Sequence, residues 1–174
     1  MEFNLITGNE ILQRTPKVLR ALLENLSEDW THCNEGGDTW SAFDIIGHLI
    51  HGEETDWTSR LDIMLSNTHD KTFEPFDRFA QFESSKGKSL TELLDEFESL
   101  RKRNLDYLDS LQITDDKLDL IATHPSLGQV SMKQLLSAWV AHDLGHIAQI
   151  ARVMAKQYKD EVGPWVQYMS VLNR

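Results

Sequence analysis

The chain has 174 residues, with 17 Lys or Arg against 28 Asp or Glu, for a net charge of −11 with histidine neutral. That length fits one domain, residues 1–174, able to bury a core without staples, and the single cysteine, Cys33, excludes an internal disulfide and a cysteine-cluster zinc site. The acidity argues against a nucleic-acid or anionic-membrane partner; no apolar run approaches the ~18 residues of a membrane span, and the opening MEFNLITGNE lacks a signal-peptide pattern, so a cytoplasmic protein is expected.

The first helical run covers about 8–26. Thr7…Glu10 reads as a capping box, with Ile6 and Ile11 as its hydrophobic staple. Pro16 interrupts this run, which either kinks or restarts with Thr15 as cap. A second run, about 41–65, opens on Ser41…Asp44 between Trp40 and Ile45. A long connector, about 66–88, carries Pro75 and Gly87. The third run, about 89–111, opens on Ser89…Glu92 and has an apolar face built from Leu90, Leu93, Leu94, Phe97, Leu100, Leu105, Leu108 and Leu111. The connector 112–130 contains His124-Pro125 and Gly128, and the fourth run, about 131–157, opens on Ser131…Gln134. After Gly163-Pro164, Trp165, Val166, Tyr168, Met169 and Leu172 suggest a short C-terminal helix. No segment shows the period-2 alternation of a strand. The expected class is all-α, a four-helix bundle with long crossover connections.

The chemistry rests on seven histidines. At about 100° per residue, Leu135, Trp139, His142, His146, Ile150 and Val153 form one stripe on the fourth helix. Leu136, Val140, Ile147, Ala151 and Met154 widen it, while Gln134, Ala138, Ala141, Gly145, Gln149 and Arg152 lie opposite. His142 and His146 therefore point inward, one turn apart. Two readings stand for this pair: a shared divalent metal, or two core histidines bonded to carboxylates or backbone. On the second helix, His48 borders the apolar arc and is the better third ligand, while His51 points away from it. Three neutral imidazoles leave coordination positions open, as at a reactive site. Glu53 and Asp56 with Arg60 put charges on the same arc. Asp56–Arg60 reads as a structural i, i+4 pair, and Glu53 as a carboxylate lining the metal cavity or acting as general base. Asp143 either orients a ligand imidazole or bonds a neighbouring helix. Cys33 has no sequence sign of an activating base.

The stretches TWSAFDIIGHLIHGEE and HPSLGQVSMKQLLSAWVAHDLGHIAQIARVM, in this order, resemble the DinB-like superfamily, as do Arg14-Thr15-Pro16 and Gly163-Pro164-Trp165. That group of four-helix metalloproteins includes thiol-dependent transferases and isomerases using bacillithiol, mycothiol or glutathione. Carried over by position, the family's metal ligands fall on His48, His142 and His146, the trio reached from helical geometry. The resemblance further implies a zinc or nickel ion at one end of a cleft and a homodimer. Where family members often place Asp three residues after the first ligand, this chain has His51.

The leading functional expectation is a metal-dependent transferase moving a low-molecular-weight thiol onto an electrophile, since metal coordination lowers a thiol's pKa. A non-catalytic metal or small-ligand module of a stress response uses the same residues. A hydrolase is the third reading, because H-D-x-x-H is similar to H-E-x-x-H with the shorter Asp. The Ala138, Ala141, Gly145 face of the fourth helix allows close approach of another helix, from a second copy or from the same bundle.

Overall fold

The computed structural model describes residues 2–173. Its elements are α1 (Leu5–Leu12), α2 (Thr15–Leu23), α3 (Glu28–Thr31), α4 (Ala42–Thr55), α5 (Trp57–Leu65), α6 (Gln81–Ser84), α7 (Leu90–Ser110), β1 (Ile121–His124), β2 (Gly128–Ser131) and α8 (Met132–Lys156), with 3-10 turns at Asp115–Asp119, Gly163–Tyr168 and Ser170–Leu172. The four expected runs appear as α1–α2, α4–α5, α7 and α8. α1 packs on α8, α2 on α7, and α4 on both α7 and α8.

Three of the four capping boxes form. The hydroxyls of Ser41, Ser89 and Ser131 accept from the backbone N–H groups of Asp44, Glu92 and Gln134, whose side chains accept from the serine N–H in return. The Thr7…Glu10 box does not: α1 begins earlier, capped by Asn4, whose Oδ1 accepts from Ile6 and Thr7 N–H. An Asx cap three residues upstream outcompetes the Ser/Thr pattern because it reaches two orphan donors at once. At Pro16 the chain restarts as α2, but Arg14, not Thr15, is the boundary residue; the Thr15 hydroxyl instead donates back to the Ile11 carbonyl. The second run also breaks, at Asp56, which has φ −109° and ψ −68°.

One connector expectation is corrected. Residues 121–131 form a β-hairpin in which Ile121 pairs with Ser131 and His124 with Gly128. Four-residue strands are too short for alternation to be read from sequence. Thr123 also ties the hairpin to the 66–88 connector: its N–H donates to the Lys71 carbonyl, and its carbonyl accepts from Phe73 N–H. The expected short C-terminal helix is present in 3-10 form, at Gly163–Tyr168 and Ser170–Leu172, the latter packed on α8; Leu172 is buried, while Trp165 and Tyr168 are 66% and 76% exposed.

The core has two apolar halves. One gathers Leu19, Ile45, Ile46, Leu49, Phe97, Ile150 and Val153; the other gathers Trp57, Leu61, Met64, Leu108, Leu135, Leu136 and Trp139. Glu53 of α4, Arg101 and Asn104 of α7, and Asp143 of α8 occupy the level between them, all buried. His142 directly precedes Asp143 on α8, which sets the histidines beside this polar layer.

Candidate metal centre

His48 lies on the second turn of α4, a helix whose start is fixed by the Ser41 box. His142 and His146 lie one turn apart on α8. The fold brings their Nε2 atoms together. His142 Nε2 is 3.2 Å from His48 Nε2 and 3.1 Å from His146 Nε2. One nitrogen from each ring lies within 4.8 Å of the others. A tetrahedral zinc shell with bonds of about 2.0–2.1 Å sets its nitrogens about 3.3 Å apart, so the spacing suits a common ion.

The electrostatics suit it too, because a ligand imidazole must be neutral. Burial, then the neighbouring His146, pushes both His48 and His142 down to about 3. His146 is also lowered, chiefly by burial, against the opposing pull of Gln149 and Asp143. The His146 Nδ1–H donates to Gln149 Oε1 at 2.9 Å, which turns the Nε2 lone pair toward the other two rings. The Nδ1 atoms of His48 and His142 are buried without a partner among the described residues. Aromatic walls hold the rings: Trp40 lies 4.8 Å from His48, and Trp57 lies 5.2 Å from His142.

The remaining predicted site residues are placed as follows. Glu53 and Asp143 are fully buried and share Arg101. The Arg101 guanidinium forks onto Asp143 (Nη1 to Oδ2 2.5 Å, Nη2 to Oδ1 2.9 Å) and donates to Glu53 Oε1 at 2.8 Å. Glu53 also accepts from Trp139 Nε1 and Asn104 Nδ2. Both carboxylates are thus engaged in the polar layer, and Asp143 makes the inter-helix bond that was its alternative reading. Asp56 and Arg60 form the expected i, i+4 pair at 2.7 Å, and burial raises the Asp56 carboxyl to about 6. His51 stands outside the trio, with its ring against Phe76. Cys33 donates to the Trp30 carbonyl, and burial pushes its thiol up, away from the thiolate form.

Sequence reasoning missed two residues here. Arg101 lies four residues after Phe97 and seven after Leu94, squarely on the apolar face of α7; a charge at that phase was the available signal. Its fourth bond, Nη1 to the Leu12 carbonyl at 2.9 Å, has a sequence cause. In a continuous helix that carbonyl would accept from residue 16, which is proline and has no N–H. Gln149, assigned to the outer face, is three residues from His146, close enough for its side chain to reach the ring.

The histidines line a cleft of about 680 Å3 together with Trp40, Asp56, Trp57, Phe76, Arg78 and the hairpin tip. That volume falls within the range of small-molecule sites, well beyond what an ion needs.

Comparison with known proteins gives the family and the fold. The sequence profile of the DinB superfamily matches residues 11–150, and the chain belongs to that superfamily. Its fold is similar to that of YfiT from Bacillus subtilis, described as "a probable metal-dependent hydrolase with an unusual four-helix bundle topology". The TM-score is 0.72 at 18% identity, covering 92% of this chain and 90% of YfiT. No curated protein matches the chain.

Proposed function

We propose that the protein is a metal-dependent enzyme in which His48, His142 and His146 hold one divalent ion. The approach of His48 and His146 Nε2 to His142 Nε2 at 3.2 and 3.1 Å, with all three rings lining a cleft of small-molecule size, carries this reading. When bound there, a divalent ion would supply Lewis-acid polarisation and would lower the pKa of a thiol or water. The protein's own contribution is to fix the His146 tautomer through Gln149 and to wall the site with Trp40 and Trp57. Zinc and nickel both suit imidazole ligands. Thiol S-transfer to an electrophile is the favoured reaction, because the resemblance points to thiol-dependent members and Cys33 is unfit to supply the thiol itself. Metal-dependent hydrolysis is the second reading, favoured by the description of YfiT.

Metal analysis of protein purified from metal-replete medium tests the centre. About one zinc or nickel per chain is expected, falling to near zero in His142→Ala and His146→Ala. A metal-free wild type that also ignores added zinc would sink the reading. Turnover of an electrophile only with added glutathione, bacillithiol or mycothiol supports transfer; ester or amide cleavage without thiol supports hydrolysis.

The homodimer expectation is also proposed for this chain. Ala138, Ala141, Leu144, Gly145 and Ala148 of α8 are exposed, an uncharged face on the longest helix rather than an internal contact.

A further inference from the structure

Resting on the metal reading above, we propose that His124 and Arg60 form a second recognition point in the cleft, where the His124 Nε2–H and the guanidinium take an acceptor oxygen of a substrate whose reacting end lies at the three histidines. His124 ends β1 and lines the cleft with Pro125 and Ser126. Its Nδ1 accepts from two backbone N–H groups of the hairpin tip, Ser126 at 3.1 Å and Leu127 at 3.3 Å. A nitrogen that accepts two N–H bonds carries no proton, so the proton of the neutral ring sits on Nε2. Nε2 makes no hydrogen bond to another described residue. Burial and the nearby Arg60 charge lower the ring's proton affinity, so at neutral pH it remains an uncharged donor.

Phe73 is the shared neighbour of the two donors. The Arg60 guanidinium stacks over the Phe73 ring at 5.1 Å from its centroid, and the His124 ring meets the same ring edge-on at 6.3 Å. Phe73 is buried and pinned to the hairpin by its bond to the Thr123 carbonyl, so this end of the cleft is preformed. The Arg60 charge is already matched by Asp56. The point therefore offers hydrogen-bond donors without a large unbalanced charge, which suits a carboxylate or an amide carbonyl rather than a phosphate dianion.

The test uses cobalt-loaded protein and ω-mercapto acids and amides of three to eight carbons, titrated by the thiolate-to-cobalt absorption band. In the wild type, affinity should peak at the chain length that spans from the histidines to the hairpin end. His124→Asn places Oδ1 where Nδ1 accepts the tip amides but removes the Nε2–H. It should fold normally and weaken the best ligand about fivefold, the value of one hydrogen bond. His124→Gln keeps a donor near the Nε2 position and should restore part of the loss. Acids and amides of equal length tell whether charge contributes. Affinity without a length optimum, no thiol binding to loaded protein, or a His124→Asn variant binding as the wild type does would overturn the proposal. Failure to take up cobalt would instead overturn the metal centre. Imidazole nitrogen NMR gives an independent reading: the Nε2–H tautomer is expected at His124, and an Nδ1–H signal contradicts it.

Discussion

Arg101 shows how much one side chain can hold. It is 1% exposed, and its guanidinium joins α4, α7, α8 and the end of α1 through Glu53, Asp143 and the Leu12 carbonyl, with Phe97 and Trp139 against its faces. Removing one partner from a buried ion network leaves the others uncompensated, at a cost of about 3–5 kcal/mol. Arg101→Met should therefore lose about that much stability in urea denaturation, far more than the lost area of its stem implies. Near-wild-type stability would mean that the two carboxylates can be buried as neutral acids. Because this layer lies beside His142, metal affinity in the variant should fall as well.

At the level of elements, α8 carries two of the three histidines of the proposed metal centre, and its start is set by one serine. The Ser131 hydroxyl accepts from Gln134 N–H at 3.2 Å, and Gln134 Oε1 accepts from Ser131 N–H at 2.8 Å. Loss of an N-cap costs about 1 kcal/mol, or about 2–4 °C in a domain of this size. Ser131→Ala should shift the melting temperature by that amount while leaving metal stoichiometry unchanged, since His142 lies three turns further along. The same element fixes β2, which ends on Ser131, so a larger loss would show that the cap also braces the hairpin.

For the molecule as a whole, stability should depend on pH through the buried rings. The folded protein holds His48 and His142 at about 3, against about 6.5 in an unfolded chain. Between those values the unfolded chain binds more protons, so stability is fully present above pH 6.5 and falls as pH drops toward 3. Glu35, held at about 2 by Arg152 and Lys156, adds to the loss below pH 4.5. Asp56, raised to about 6 by burial, works in the opposite sense between pH 6 and 3.8 and trims the slope. The melting temperature of metal-free protein should decline steadily below pH 6.5, and His142→Gln should flatten that decline. A melting temperature constant from pH 7 to 5 would contradict the buried neutral state of the rings. At this scale the dimer is testable too: sedimentation should give twice the chain mass, and Leu144→Glu should yield monomers.

Local rules alone determined the four helical runs, three capping boxes, the interruption at Pro16, the inward phase of His142 and His146, and the Asp56–Arg60 pair. Each depends on residues within one or two turns, where propensity and periodicity act. The hairpin at 121–131 escaped them because its four-residue strands are too short to show alternation, and its anchoring through Thr123 runs to Lys71 and Phe73, some fifty residues away. Tertiary structure alone decided that Glu53 and Asp143 share Arg101, because partners 48 and 42 residues apart leave no periodic trace. It likewise decided that His124 faces the same cleft as the trio. The net charge of −11 placed many carboxylates on the chain; only packing showed that two of them neutralise a buried arginine, where charge must be paired to be buried at all.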